Sequence, residues 1–218
     1  MENEVLQKYL EKLILLQEHS SERFTEDNFR IAIDSLGLSE KEIEELDKEF
    51  DEQFKRGSNY YRSHNYEKAI EHLETALHLE PFHLAAMMLL TDAYKLRYLE
   101  TFQKEYYNKM INLCKRGLGL QAFNPYFAKV ETLAEKCEAA RNNRNKSYLL
   151  SFGLGGLLGL GIASVFLMGW ASSSILAGAA AVLAITVGIS SFPATRQFQK
   201  LRLQLKRATI TLKFVAKR

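Results

Sequence analysis

From Ser147 to Thr195 the chain has no Asp, Glu, Lys, Arg or His, and from Arg196 to Arg218 it has no acidic residue at all. The first absence excludes an ordinary solvated surface there, and a neutral run of this length is too long for one crossing of a bilayer, which takes about 20 apolar residues. It breaks naturally at Trp170 to Ser174, giving two expected transmembrane helices, Tyr148 to Trp170 and Ile175 to Phe192, joined by a tight turn. The same lack of ionisable groups argues against a channel or transporter, whose path keeps polar groups inside the membrane. Cysteine is scarce too. Cys114 and Cys137, both in apolar helical patterns, read as free buried thiols. Glu2 and Glu4 with the interspersed Lys8, Glu11 and Lys12 exclude an export signal at the N-terminus.

Charge is divided unevenly. Residues 1–146 hold all 26 acidic side chains, whereas residues 196–218 hold only basic ones. Arg141, Arg144 and Lys146 precede the neutral run and Arg196 follows it, while the turn between the two helices carries no charge. Positive flanks of this kind place both ends in the cytoplasm. A bacterial inner membrane is the favoured setting.

The remaining 146 residues suit one helical domain. Leu6, Tyr9, Leu10, Leu13 and Leu16 recur at helical spacing, and a second helix is expected from Thr25 to Leu36, stopped by Gly37. Ser39 with Glu42 is a capping box opening a third helix, with Ile43, Leu46, Phe50 and Phe54 on its buried side. Its acidic outer face reads as solvated or as a docking strip for a basic partner. Further helices are expected over His83 to Arg97, Thr101 to Gly117 and Pro125 to Asn145. In the last of these Phe127, Val130, Leu133, Ala134 and Cys137 form one stripe.

Gly57, Tyr60, Tyr66, Ala69, Leu73, Ala76 and Pro81 stand at specific distances within residues 50–83. This segment resembles a tetratricopeptide repeat, a helical hairpin of about 34 residues with small side chains at the helix crossing and a closing proline. Gln53 and Arg56 depart from the pattern, and a second copy beginning near Leu84 loses register, with Gln103 where alanine belongs. The resemblance implies an all-α, solenoid-like fold completed by the flanking helices, because about three units are needed for a stable stack. It also implies an adaptor whose groove holds a peptide or helix of a partner protein. Carried over by position, Phe54, Ser58, Tyr61 and Arg62 line that groove, with Met87, Met88, Thr91 and Lys95 beside them. Phe54 and Ser58 stand where a chaperone-binding repeat has Lys and Asn, so an apolar or amphipathic segment is the expected occupant.

Within the neutral run, Gly155, Gly159 and Ala163, and again Ala180, Ala184 and Gly188, are spaced by four, which lets membrane helices pack closely. Further glycines on the first helix are compatible with a homo-oligomer. In the tail, Phe198, Leu201, Leu205, Ala208, Leu212 and Val215 fall on one helical side and Lys200, Arg202, Lys206, Arg207 and Lys213 on the other. Such a basic amphipathic helix either lies on anionic lipid through those cations or packs on the acidic domain.

No catalytic, cofactor or metal constellation is present in the sequence. There is no P-loop and no paired-cysteine motif, and His64, His72, His78 and His83 do not share a helical face. Nucleic acid is excluded as a partner, since the one helix-turn-helix-like stretch, Arg30 to Leu46, is crowded with carboxylates. The expectation is a non-enzymatic, membrane-anchored scaffold in four parts: an N-terminal extension 1–49, a repeat-like domain 50–146, a transmembrane hairpin 147–195 and a basic tail 196–218. A membrane-remodelling or membrane-assembly component is the alternative.

Overall fold

The computed structural model describes residues 39–167 and 193–208, with side chains over 39–149 and 193–208. The two helices expected before Ser39 lie outside these residues. Among the described residues there are six helices and no strand: α1 (Glu40–Arg62), α2 (Tyr66–Leu79), α3 (Leu84–Thr101), α4 (Lys104–Leu120), α5 (Pro125–Leu167) and α6 (193–207). Residues 39–128 belong to one compact unit, and 129–167 with 193–208 to a second.

α1 starts where the capping box places it. The Glu42 amide donates to Ser39 Oγ at 3.3 Å and the Ser39 amide donates to Glu42 Oε2 at 2.8 Å, satisfying two amides that a helix start leaves open. Of the expected apolar stripe, Phe50 is buried and Ile43 is exposed. The chain then reverses through His64, whose φ of 61° is left-handed, and Asn65 caps α2 by accepting from the Lys68 amide at 3.3 Å. Here glycine matters: a Cβ on Gly57 would sit 2.7 Å from Leu73 Cγ. Its absence lets α1 and α2 approach around Leu73, with Ala69 and Ala76 also fully buried.

α3 opens at His83, whose Nδ1 accepts from the Ala86 amide at 3.1 Å while its ring lies 4.6 Å from Phe50 and 5.4 Å from Phe54. That cluster holds the start of α3 to the middle of α1. α3 ends at Phe102, left-handed at φ 55° where glycine would be easier, and its ring meets Tyr98 at 5.7 Å. α4 returns alongside α3. A Cβ on Gly117 would come within 2.3 Å of the Phe127 ring, so the glycine admits the first turn of α5. From α1 to α4, successive helices thus pack in chain order, each on the next, and α1 also reaches α3.

The helix expected to end near Asn145 instead runs unbroken to Leu167. Residues 141–147 contain neither Gly nor Pro to stop it. Val130, Ala134 and Cys137 are buried as the stripe requires. Among the described residues, no helix is long and apolar enough to cross a membrane. Of the two expected spans, residues 150–167 are described as helical backbone, and 168–192, with the second span's Ala180, Ala184 and Gly188, lie outside the described residues.

Candidate functional site

Of the residues expected to line a groove, Arg62 is exposed, Phe54, Ser58, Tyr61 and Met88 are half-buried, and Met87, Thr91 and Lys95 are buried outright. The reachable part therefore lies on α1, with Met88 beside it. The inner part is occupied by the protein's own side chains, because α3 carries a buried ion pair. Lys95 Nζ meets Asp92 Oδ1 with both side chains 0% exposed.

Asp92 is satisfied from three helices. Tyr61 on α1 donates to Oδ2, Lys95 donates to Oδ1, and Tyr126 in the first turn of α5 donates to Oδ1 at 2.9 Å. Tyr126 also lies 3.4 Å from the Met88 carbonyl. Burial pushes the Tyr61 and Tyr126 hydroxyls well above the ordinary phenol range, with the Asp92 charge adding to it. Burial lowers Lys95, and its partner Asp92 works against that shift. A carboxylate with three donors is held fixed, so this cluster ties α1 and the first turn of α5 to α3.

Asp92 and Tyr126 were missed in the sequence. The available signal was Asp92 and Lys95 at i and i+3 inside an apolar run, since charges there must pair with each other. A second cluster repeats the device nearer the surface. Tyr94 on α3 donates to Glu74 on α2, and Lys109 on α4 donates to the same oxygen at 3.2 Å and lies 5.6 Å from the centre of the Tyr94 ring.

The histidines have separate structural tasks. His72 Nδ1 meets Gln53 Oε1 at 2.7 Å and stacks on Tyr60, His64 Nδ1 meets the Tyr66 hydroxyl at 2.8 Å, and His83 is a cap. Among the described residues no group of His, Cys, Asp and Glu could hold a metal ion.

In the second unit, α6 runs back along α5. Thr195 Oγ1 lies 3.1 Å from the Tyr148 hydroxyl, the Phe198 ring lies 4.3 Å under the Arg144 guanidinium, and Arg202 acts electrostatically on Cys137. Rising numbers on one helix meet falling numbers on the other, which makes the pair antiparallel. The apolar side of α6 is spent on protein: Phe198, Leu205 and Ala208 are buried. That side is not available to lie in lipid, whereas Lys200, Lys206 and Arg207 are exposed. Arg202 is half-buried, and Lys213 lies outside the described residues.

Both cysteines are free and buried, and burial, with Glu138 adding, pushes the Cys137 thiol up to about 11 against the pull of nearby arginines. With its pKa so raised, the Cys137 thiol is not a nucleophile at neutral pH. In comparisons with known proteins, no family model, no curated protein and no solved structure matches this chain.

Proposed function

We propose that the chain is a non-enzymatic scaffold anchored in a membrane by a hairpin over 147–195, with both termini in the cytoplasm and a tetratricopeptide-like helical unit that receives a helix or peptide of a partner protein. One observation carries the anchor: the hydrogen bond between Tyr148 and Thr195 ties together the two ends of the charge-free segment. The 46 residues between them must leave and return to one place. As two helices of about 23 residues, each reaches about 34 Å, enough for a hydrocarbon layer of about 30 Å. Basic residues at the tied ends favour the cytoplasmic side.

The tetratricopeptide likeness draws support from Gly57 seated against Leu73 and from the enclosed Ala69 and Ala76, the small positions such a hairpin needs. The receptive surface is then Phe54, Ser58, Met88 and Arg62, bounded inside by the Asp92 cluster.

Topology tests the anchor. Glu2→Cys and Lys217→Cys, made separately in the full chain, should both react with a membrane-impermeant maleimide from the cytoplasmic side of sealed vesicles, the native thiols staying silent because they are buried. Labelling from opposite sides, or release of the chain by alkaline carbonate, would overturn it. For the scaffold role, Phe54→Glu with Arg62→Glu should remove in-cell crosslinks to the partner without changing membrane integration, and an unchanged crosslink pattern would count against the α1 surface.

A further inference from the structure

Resting on that anchor, we propose that the foot of the α5–α6 pair is a belt for anionic phospholipid headgroups, built by Arg144, Lys146, Arg196 and Lys200. The Tyr148–Thr195 bond marks where the neutral segment begins and ends, and Leu149, the next residue, is 77% exposed and apolar. At about 1.5 Å of rise per residue, the four cations stand within about 8 Å of that level along the helix axes, inside the reach of a headgroup layer. Lys206 and Arg207 stand about 17 Å away by the same measure.

The cations flank the pair on both outer sides. Lys146 follows Arg144 by two residues and Lys200 follows Phe198 by two, each a rotation of about 200°. Since Arg144 and Phe198 face each other across the pair, Lys146 and Lys200 project from its two outer sides, and both are exposed. Arg196, Lys200 and Leu203 share one exposed stripe on α6. Exposed cations on both outer sides suit a shell of lipids, whereas a peptide or a soluble anion would favour a single cleft.

Among the described residues of the α5–α6 unit, no carboxylate side chain follows Glu138. That carboxylate pairs with Arg141 at 3.0 Å. Arg144 is held flat on Phe198, its Nε buried with no hydrogen-bond partner and its Nη2 a long 3.4 Å from Asn145 Oδ1. A guanidinium so fixed, without a carboxylate, is prepared for a phosphate.

The belt differs from a tail lying flat on lipid in which cations count. Spin-labelled phosphatidylglycerol and phosphatidylcholine, added in turn to the full chain in phosphatidylcholine vesicles, give their relative association from the motionally restricted fraction in electron paramagnetic resonance. Phosphatidylglycerol should be favoured severalfold at low salt, with the preference shrinking as salt rises. Lys146→Gln and Lys200→Gln should each reduce it, by up to about fivefold, the equivalent of about 1 kcal/mol per cation near the surface. Lys206→Gln with Arg207→Gln should leave it unchanged.

Equal association of the two lipids, or dependence on Lys206 and Arg207 in place of Lys146 and Lys200, overturns the belt while leaving the anchor standing. A chain that never enters the vesicles overturns the anchor, and the belt with it.

Discussion

The α1–α2 crossing and the joint of α3 with α1 and the first turn of α5 face the same task of bringing helices together, and they meet it with different chemistry. In the first, a missing side chain at Gly57 makes room for Leu73, and alanines complete a crossing with no buried charge. In the second, α3 buries Asp92 and Lys95 and gathers hydroxyls from α1 and α5 around them. The apolar crossing tolerates small errors of fit. The ionic one does not, because a buried charge left alone costs more than a poorly filled space. The ionic contact of α3 with α1 and α5 is therefore the more brittle joint, and it sits behind the surface proposed to receive a partner.

The largest expected effect breaks that joint. Asp92→Ala strands the Lys95 ammonium and two tyrosine hydroxyls, and should cost about 3–5 kcal/mol in chemical unfolding. Lys95→Met in the same chain should recover part of the loss, since the stranded charge is then gone. A result near zero for Asp92→Ala would mean the pair is hydrated and the contrast between the two joints is false.

Alkali should attack the same joint and the Glu74 cluster beside it. Tyr61, Tyr94 and Tyr126 have folded-state pKa values raised by burial and by neighbouring carboxylates. A raised folded pKa leaves the contribution intact below the unfolded value of about 10 and removes it as pH rises above that, because only the unfolded chain gives up the proton. Absorbance near 295 nm, followed against pH, should show these three ionising only together with unfolding. Smooth ionisation of all ten tyrosines in the folded chain would contradict the burial.

A smaller loss is expected at the apolar crossing. Gly57→Val should cost about 1–3 kcal/mol through overpacking against Leu73, measured by thermal or denaturant unfolding. Helix starts give the smallest effects. Ser39→Ala should cost about 1 kcal/mol, while Gln103→Ser, at a cap with no side-chain hydrogen bond, should add a similar amount.

The same contrast explains what could be read from the residues alone. Ser39, Gly57, Ala69, Ala76 and the long apolar periodicities act through local rules, so α1, the first hairpin and the stripe on α5 were legible. Asp92 and Tyr126 act through a partner 34 residues away, and neither spacing nor composition announces such a pair. For the same reason Met87 and Thr91 looked like groove and are core, while Lys95, also core, had its cue in the three-residue spacing from Asp92. Continuation of α5 through Asn145 had a local cue, the lack of a breaker, but a change from charged to apolar sequence resembles a boundary. The apolar side of α6 could be assigned to lipid or to protein by pattern alone, and it is buried in protein.

The most direct test of the anchor is a distance across the neutral segment in a bilayer. Spin labels on Lys146→Cys and Gln197→Cys in the full chain, reconstituted into liposomes and measured by pulsed dipolar spectroscopy, should lie about 20 Å apart or less, since both flank the Tyr148–Thr195 bond. A separation of about 35 Å or more, the two sites facing each other across the hydrocarbon layer, would contradict the hairpin.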